Sequence, residues 1–186
     1  MNSWTQAQLL GLALALASTA PVQAGAEGNP QHIVLADLGL HVVGVGYQRT
    51  VSEHFAVQLD LDSWTPWTQN INFLGLSGEA FKSDISGVVL RARPIWYVLA
   101  ESPRGLWVSP FGQVGQGWAT RSGVRETGPV WALGGSVGYA WLPFDRLHIS
   151  IGLGAQVHGA SIQGGESIPS FTRPYAHLDG MVGWAF

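Results

Sequence analysis

The sequence predicts an all-β fold, an antiparallel up-and-down transmembrane β-barrel of eight strands that is preceded by a signal peptide. Three observations support this prediction. Apolar residues alternate with small or polar residues at a period of two in several segments. The connections between those segments alternate between short and long, as in outer-membrane barrels. After residue 30, no uninterrupted apolar run approaches the roughly 18 residues of a membrane helix.

The composition fits a barrel in lipid better than a protein surrounded by water. Charged residues make up 11% of the 186 residues, against roughly 25% in soluble domains. The net charge is −3 and the nine Lys and Arg residues are scattered, which argues against nucleic acid as a partner. The absence of Cys excludes disulfides, thiolate nucleophiles and zinc–thiolate sites.

The first residues predict a cleaved leader. The apolar run at 9–17 (LLGLALALA) has the length of a signal-peptide core, and residues 22–24 (VQA) offer a cleavage site after Ala24. The preceding residues contain no Lys or Arg, and a buried N-terminal helix is the alternative; Pro21 argues against that helix. The predicted segments are a signal peptide at 1–24, a short periplasmic segment at 25–31 and the barrel at 32–186.

The strands are predicted from period-two alternation, which is clearest at 147–158. Counting back from the C-terminus gives strands at 172–186, 147–158, 129–141, 106–120, 84–99 and 55–62. An even strand count then requires two strands within 32–48, with a tight reversal near residues 39–44. One long, bent strand is the alternative for this stretch.

The polar row of each strand predicts which face points inward. This row is rich in Gly, Ser and Ala, which suit the narrow lumen of a small barrel. Arg91 and Arg93 would cost roughly 2 to 4 kcal/mol each in mid-bilayer lipid. Facing inward, they can meet acids such as Asp60, Asp179 and Glu53. A lipocalin-like barrel in water is the alternative. The predicted luminal polar network consists of Asp60, Arg91, Arg93, His177 and Asp179.

Aromatic residues near the strand ends predict two membrane-interface girdles. The girdle beside the short connections is expected to contain Trp96, Trp107, Trp141, Trp184 and Phe186, together with Tyr47. A second girdle beside the longer connections would contain Trp64, Trp67, Trp118 and Trp131. The alternative is that these rings fill the core of a β-sandwich.

Three quoted stretches give the chain a family resemblance. The C-terminal "GMVGWAF" and the glycine-rich units "LGLHVVGVGYQRTVSEHFAVQLDL" and "GSVGYAWLPFDRLHISIGLGAQV" resemble small bacterial outer-membrane barrels of the OmpA-, OmpX- and OmpW-like type. The resemblance covers nearly all of residues 31–186. It implies the outer membrane of a Gram-negative bacterium, with the lipid bilayer and lipopolysaccharide as partners. It also implies that the terminal Phe belongs to the signal read by the barrel-assembly machinery. Such motifs indicate architecture and do not specify activity.

Two groups of residues raise the question of chemistry. His148 and Ser150 have the spacing of the His-x-Ser pair in lipid A deacylases, but the asparagine that continues that motif is missing. A luminal hydrogen-bonded pair is the preferred interpretation. His158, His177 and Asp179 could approach one another and hold a metal, but a hydrogen-bond network satisfies the same residues. We expect no metal and no cofactor.

The predicted function is that of a structural or interaction barrel, with recognition by the loops at 62–84 and 159–171. A narrow, porin-like channel or small-ligand transporter is the main alternative, and a lipid A modifying enzyme is a further one. The sequence does not identify the ligand or the oligomeric state.

Overall fold

A computed structural model describes residues 29–39, 42–64, 85–121, 123–162 and 175–186. The predicted signal peptide, most of the segment at 25–31 and the greater part of both long loops lie outside the described residues. None of the described residues belongs to a helix of the length and hydrophobicity needed to cross a membrane.

Eight antiparallel strands close into a barrel in sequence order, which confirms the predicted fold class. The strands are β1 (His32–Asp37), β2 (Val42–Ser52), β3 (Phe55–Trp64), β4 (Ser86–Tyr97), β5 (Gly105–Arg121), β6 (Val124–Trp141), β7 (Leu147–Ala160) and β8 (Tyr175–Ala185). A short 3₁₀ turn, Pro143–Asp145, connects β6 to β7.

The N-terminal stretch forms two strands, as the even strand count required. β1 and β2 pair from His32 with Arg49 to Asp37 with Gly44. The alternative of one long, bent strand is therefore wrong. β1 ends at Asp37 and β2 begins at Val42, so the reversal between them overlaps the predicted range of 39–44.

The β5–β6 hairpin extends further than the sequence predicted. We expected a loop over residues 121–128, but the two strands pair continuously from Gly105 with Ala140 to Arg121 with Val124. Only residues 122–123 remain for the reversal. Gly123 adopts a positive φ of 81°, which glycine does at little cost and which tight hairpins require.

The first and last strands pair where the barrel closes. β1 and β8 pair from Ile33 with Ala185 to Asp37 with Met181. Backbone hydrogen bonds between His32 and Phe186 extend this pairing at 3.1 and 2.8 Å. The His32 ring also lies between the rings of Tyr47 and Phe186, with centroid distances of 5.9 and 5.8 Å. The terminal Phe186 therefore lies at the closing seam.

Successive side chains point alternately outside and inside the barrel. Large apolar side chains are exposed on β2 to β8, and they include Val45, Leu59, Leu90, Val114, Leu133, Val137, Ile151, Leu153 and Val182. The inward side chains are buried, and many of them are polar or charged. The core of the molecule is therefore the interior of the barrel.

Candidate functional site

The lumen is filled by three layers of side chains, and β3 contributes to each of them. The turn end of the barrel holds the β2–β3, β4–β5 and β6–β7 connections and Phe186, and the opposite end is the loop end. From the turn end to the loop end, the buried side chains of β3 are Ala56, Gln58, Asp60, Asp62 and Trp64. An apolar residue thus lies on each side of a polar, charged middle layer.

The loop-end layer is an apolar cluster with contributions from six segments of the chain. Its buried residues are Val42, Trp64, Ile85, Val89, Ala119, Val130 and Ile162. His158 packs edge-on against Trp64, with ring centroids 5.2 Å apart. These side chains cover the charged layer from the loop end.

The turn-end layer consists of two apolar clusters. One contains Ile33, Leu35, Leu142, Met181 and Ala185, and the other contains Ala56, Ile95, Tyr97, Trp107 and Ala140. The Tyr97 hydroxyl accepts a hydrogen bond of 3.1 Å from the Gln48 amide. These residues separate the charged layer from solvent at the turn end.

Arg91 lies at the centre of the charged layer. Its Nε lies 3.3 Å from Asp60 Oδ2, and its Nη2 lies 3.3 Å from Asp62 Oδ2. Asp37 is a further partner of Nη2, and Asp179 lies 3.5 Å from Nη1. One guanidinium thus contacts carboxylates from three other strands, which ties β1, β3 and β8 to β4.

Arg93 is the second buried guanidinium, and it shares Asp179 with Arg91. Its Nη2 lies 3.2 Å from Asp179 Oδ2. Ser136 donates to the same Asp179 oxygen at 2.7 Å, and His177 Nε2 lies 2.8 Å from Asp179 Oδ1. Charge-assisted hydrogen bonds of this kind are the strong ones in a dry interior. Asp179 is therefore the carboxylate on which β4, β6 and β8 converge.

The structure brings all five residues of the predicted luminal network into this layer. Sequence reasoning did not include several of their buried partners in the network, among them Asp37, Asp62, Ser109 and Ser136. Asp37 shares its inward parity with Ile33 and Leu35, a signal that could have identified it. Glu53, which we expected among the luminal acids, lies exposed in the β2–β3 turn.

Trp107 corrects the predicted aromatic girdle, because its side chain lies inside the barrel and is 2% exposed. The Arg93 guanidinium carbon lies 4.9 Å from the centroid of its ring, and its Nε1 donates to Ser150 Oγ at 3.0 Å. Gly138 and Gly152 leave space for the ring, since a Cβ at either position would collide with it. Proximity to a strand end did not predict the direction of the Trp107 side chain. Its place in the inside–outside alternation of β5 determines that direction.

The other five residues of this girdle point outward. Tyr47, Trp96, Trp141, Trp184 and Phe186 are between 38% and 53% exposed. At the loop end, Trp131 is also exposed, whereas Trp64 is buried in the lumen and Trp67 lies outside the described residues. Trp118 is half-buried, with the Arg125 guanidinium 4.6 Å from its ring.

The structure does not bring together all the members of either group of residues considered for chemistry. The Ser150 hydroxyl accepts from Trp107, and within the described part of the chain neither ring nitrogen of His148 has a hydrogen-bond partner. His177 bonds Asp179, whereas His158 packs against Trp64 in the loop-end layer. These arrangements do not form a nucleophile–base pair between His148 and Ser150.

One carboxylate cluster has the spacing of a cation site. Ligand atoms of Asp37, Asp60 and Asp62 all lie within 4.8 Å of one another. Arg91 contacts each of these three carboxylates. The guanidinium thus supplies the positive charge that a metal would otherwise provide.

Comparison with solved structures finds a similar barrel. The chain is similar to the crystal structure of the N-terminal β-barrel domain of Pseudomonas aeruginosa OprF, with a TM-score of 0.46 and 11% sequence identity. The match covers 85% of this chain and 98% of that chain. No protein-family model matches the sequence, and no curated protein matches it. A likeness of this size carries no argument about function, which must be inferred from the geometry.

Proposed function

We propose that the protein is an outer-membrane β-barrel that serves as a structural or interaction barrel and presents its loops at the cell surface. The observation that carries the proposal is the exposed apolar row on β2 to β8. Soluble monomers rarely expose contiguous apolar surface of this extent. A lipid environment removes that difficulty, because a closed barrel leaves no unpaired strand edge in the hydrocarbon.

The dimensions of the apolar belt support a bilayer as its solvent. Trp131 and Trp141 both point outward on β6, and Leu133, Val137 and Tyr139 are exposed between them. Ten residue steps at about 3.4 Å each, on a strand with the tilt of about 40° that is typical of such barrels, span roughly 26 Å along the barrel axis. The apolar band of such barrels is about 25 Å tall.

The outward surface becomes polar beyond that belt. At the loop end, Gln116, Thr120, Arg125 and Thr127 are exposed on β5 and β6. At the turn end, Arg104 and Asp145 form an exposed ion pair at 2.5 Å. Polar residues on either side of an aromatic-edged apolar band are typical of the two interfaces of a membrane protein.

The filled lumen favours an anchoring barrel over a channel. An eight-stranded barrel is just wide enough for its own side chains, and here they form an ion-pair network between two apolar layers. A hydrated ion would have to displace Arg91 and its carboxylates. The loops at 62–84 and 159–171, largely outside the described residues, are the proposed recognition elements.

The proposed partners follow from the location. The belt would contact lipid, and the loop-end rim would contact lipopolysaccharide in the outer leaflet. Trp184 and Phe186, exposed at the end of β8, would present the C-terminal signal to the barrel-assembly machinery.

Membrane fractionation of the producing cells tests the proposal. The protein should be found with outer-membrane markers, and its gel mobility should change on heating, because the folded barrel resists detergent at low temperature. Recovery as a detergent-free monomer in the aqueous periplasmic fraction would contradict it.

Two further measurements address the alternatives. Steady unitary currents from the refolded protein in planar bilayers, lost on replacement of Arg91, would favour a channel. A change in lipid A acylation that depends on the gene, abolished by Ser150→Ala, would favour an enzyme.

A further inference from the structure

The ladder between β4 and β5 is interrupted in the middle of the barrel wall. The two strands pair at Ala92 with Gly112 and again at Trp96 with Val108, with no pair between these two positions. The same register places Pro94 opposite Pro110. Proline has no backbone N–H, so neither residue can donate across the seam. Prolines are rare inside paired strands, and here two face each other.

A serine hydroxyl lies between the carbonyl groups at this gap. Ser109 Oγ donates to the Pro94 carbonyl at 2.7 Å and lies 3.1 Å from the Pro110 carbonyl. Arg93 Nε donates in turn to Ser109 Oγ at 3.2 Å. One hydroxyl proton has to serve two carbonyl oxygens. The seam is therefore bridged by a side chain that the luminal ion network holds in place.

The outer surface beside the gap is indented. A shallow groove of about 340 Å³ lies over β5, β6 and β7, and Val108, Pro110, Val137 and Leu153 line it. Gly135 places no side chain over the wall at this point. Beneath the same groove, β6 and β7 pair without interruption from Gly134 with Gln156 to Val137 with Leu153.

We propose that the barrel wall opens locally between β4 and β5 at Pro94 and Pro110, and that the Ser109 hydroxyl, positioned by Arg93, closes this opening. We call this site the latch. Opening gives the outer surface beside Pro110 access to the charged layer at Arg93. The proposal concerns the wall itself and does not depend on the proposed cellular location. Local opening of this kind has its own free energy, below that of global unfolding.

Amide hydrogen exchange of the full refolded protein in lipid nanodiscs tests the latch. The amides of Ala92, Trp96, Val108 and Gly112, which flank the gap, should exchange faster than those of Val137 and Leu153 in the unbroken β6–β7 seam. Comparison within one molecule removes differences in global stability. Equal protection at the two seams would overturn the proposal.

Substitutions identify the residue that closes the seam. Ser109→Ala should speed exchange at the four flanking amides roughly threefold to tenfold, the change expected for loss of one hydrogen bond. Ser109→Thr, which keeps the hydroxyl, should restore protection. Pro110→Val supplies a backbone N–H and should slow exchange below that of the unmodified protein.

Thr50→Val is the matched control, because it also removes a hydroxyl that bonds another side chain, Ser102 Oγ at 3.0 Å, but lies on β2, which borders neither seam. It should leave the difference between the two seams unchanged. The latch would be contradicted if Ser109→Ala raised exchange equally at both seams. It would also be contradicted if Thr50→Val reproduced the local effect.

Discussion

The two faces of a single strand differ in the opposite sense from those of a soluble protein. On β7, Ile151 and Leu153 are 52% and 56% exposed, whereas His148 and Ser150 are 1% and 2% exposed. In soluble folds, apolar side chains fill the interior and polar ones face water. The comparison teaches that this barrel satisfies its polar groups internally and leaves its apolar groups to the surroundings.

Breaking the inward network should have the largest effect. Asp179→Ala removes the carboxylate shared by Arg91, Arg93 and His177 and leaves buried positive charge without its partner. We expect a loss of about 3 to 5 kcal/mol in the free energy of unfolding, measured by urea titration in lipid vesicles.

Asp145→Asn at the exposed turn-end rim is the control for this change, because Asn also tolerates the positive φ of 59° at this position, and the expected effect is within about 0.5 kcal/mol. Asp179→Asn, which keeps the shape but not the charge, should fall between the two. Equal stability of the Asp179 and Asp145 variants would show that the luminal charges do not hold the barrel together.

A charge on the outward face tests the other half of the comparison. Leu153→Arg should destabilise the barrel by about 2 to 4 kcal/mol in vesicles, because the guanidinium would lie in the apolar belt. Thr127→Arg, also outward but beyond the belt at the loop end, should cost about 0 to 1 kcal/mol. A small and equal cost at both depths would argue against a lipid-facing belt.

Two tryptophans sharpen the contrast with a smaller effect. Trp107→Phe loses the hydrogen bond to Ser150 and should destabilise the barrel by about 1 to 3 kcal/mol. Trp141→Phe, at an outward position, keeps the aromatic ring and should change the unfolding free energy by less than about 0.5 kcal/mol. Urea titrations of both variants in the same vesicles check the difference. The reverse order would place Trp107 outside, as the sequence alone suggested.

The exposed ion pair at the turn end should matter least. Arg104→Gln removes the contact with Asp145, and both side chains are substantially exposed. We expect a loss of at most about 1 kcal/mol that diminishes further at high salt. A loss comparable to that of Asp179→Ala would mean that burial does not separate the two classes of ion pair.

The sequence was most informative where alternation alone decides. Strand order, strand number and the inward direction of Arg91, Arg93 and Asp179 all follow from parity, because a slip of one residue would reverse every side chain. In β5, where glycine and proline weaken the alternation, parity was not followed and Trp107 was assigned to the wrong face. The full length of the β5–β6 hairpin was also not predicted, because polar residues at 121–128 fit a loop as well as a strand.

The sequence predicted that Arg91 and Arg93 meet acids such as Asp60 and Asp179, but not which guanidinium contacts which carboxylate. The pairing of Arg91 with Asp37, Asp60 and Asp62 depends on the register of strands that are far apart along the chain. The opposition of Pro94 and Pro110 depends in the same way on the β4–β5 register. Neither arrangement has a local sequence signal.

A spin-label scan of β7 tests the central claim most directly. The chain contains no Cys, so single cysteines can be placed at successive positions from 148 to 153 without other changes, and their collisions with oxygen and with a water-soluble nickel reagent can be measured in liposomes. Labels at 149, 151 and 153 should collide with oxygen and little with nickel, and those at 148, 150 and 152 with neither. Strong nickel collisions at 151 and 153 would show water at the apolar face and would contradict the account.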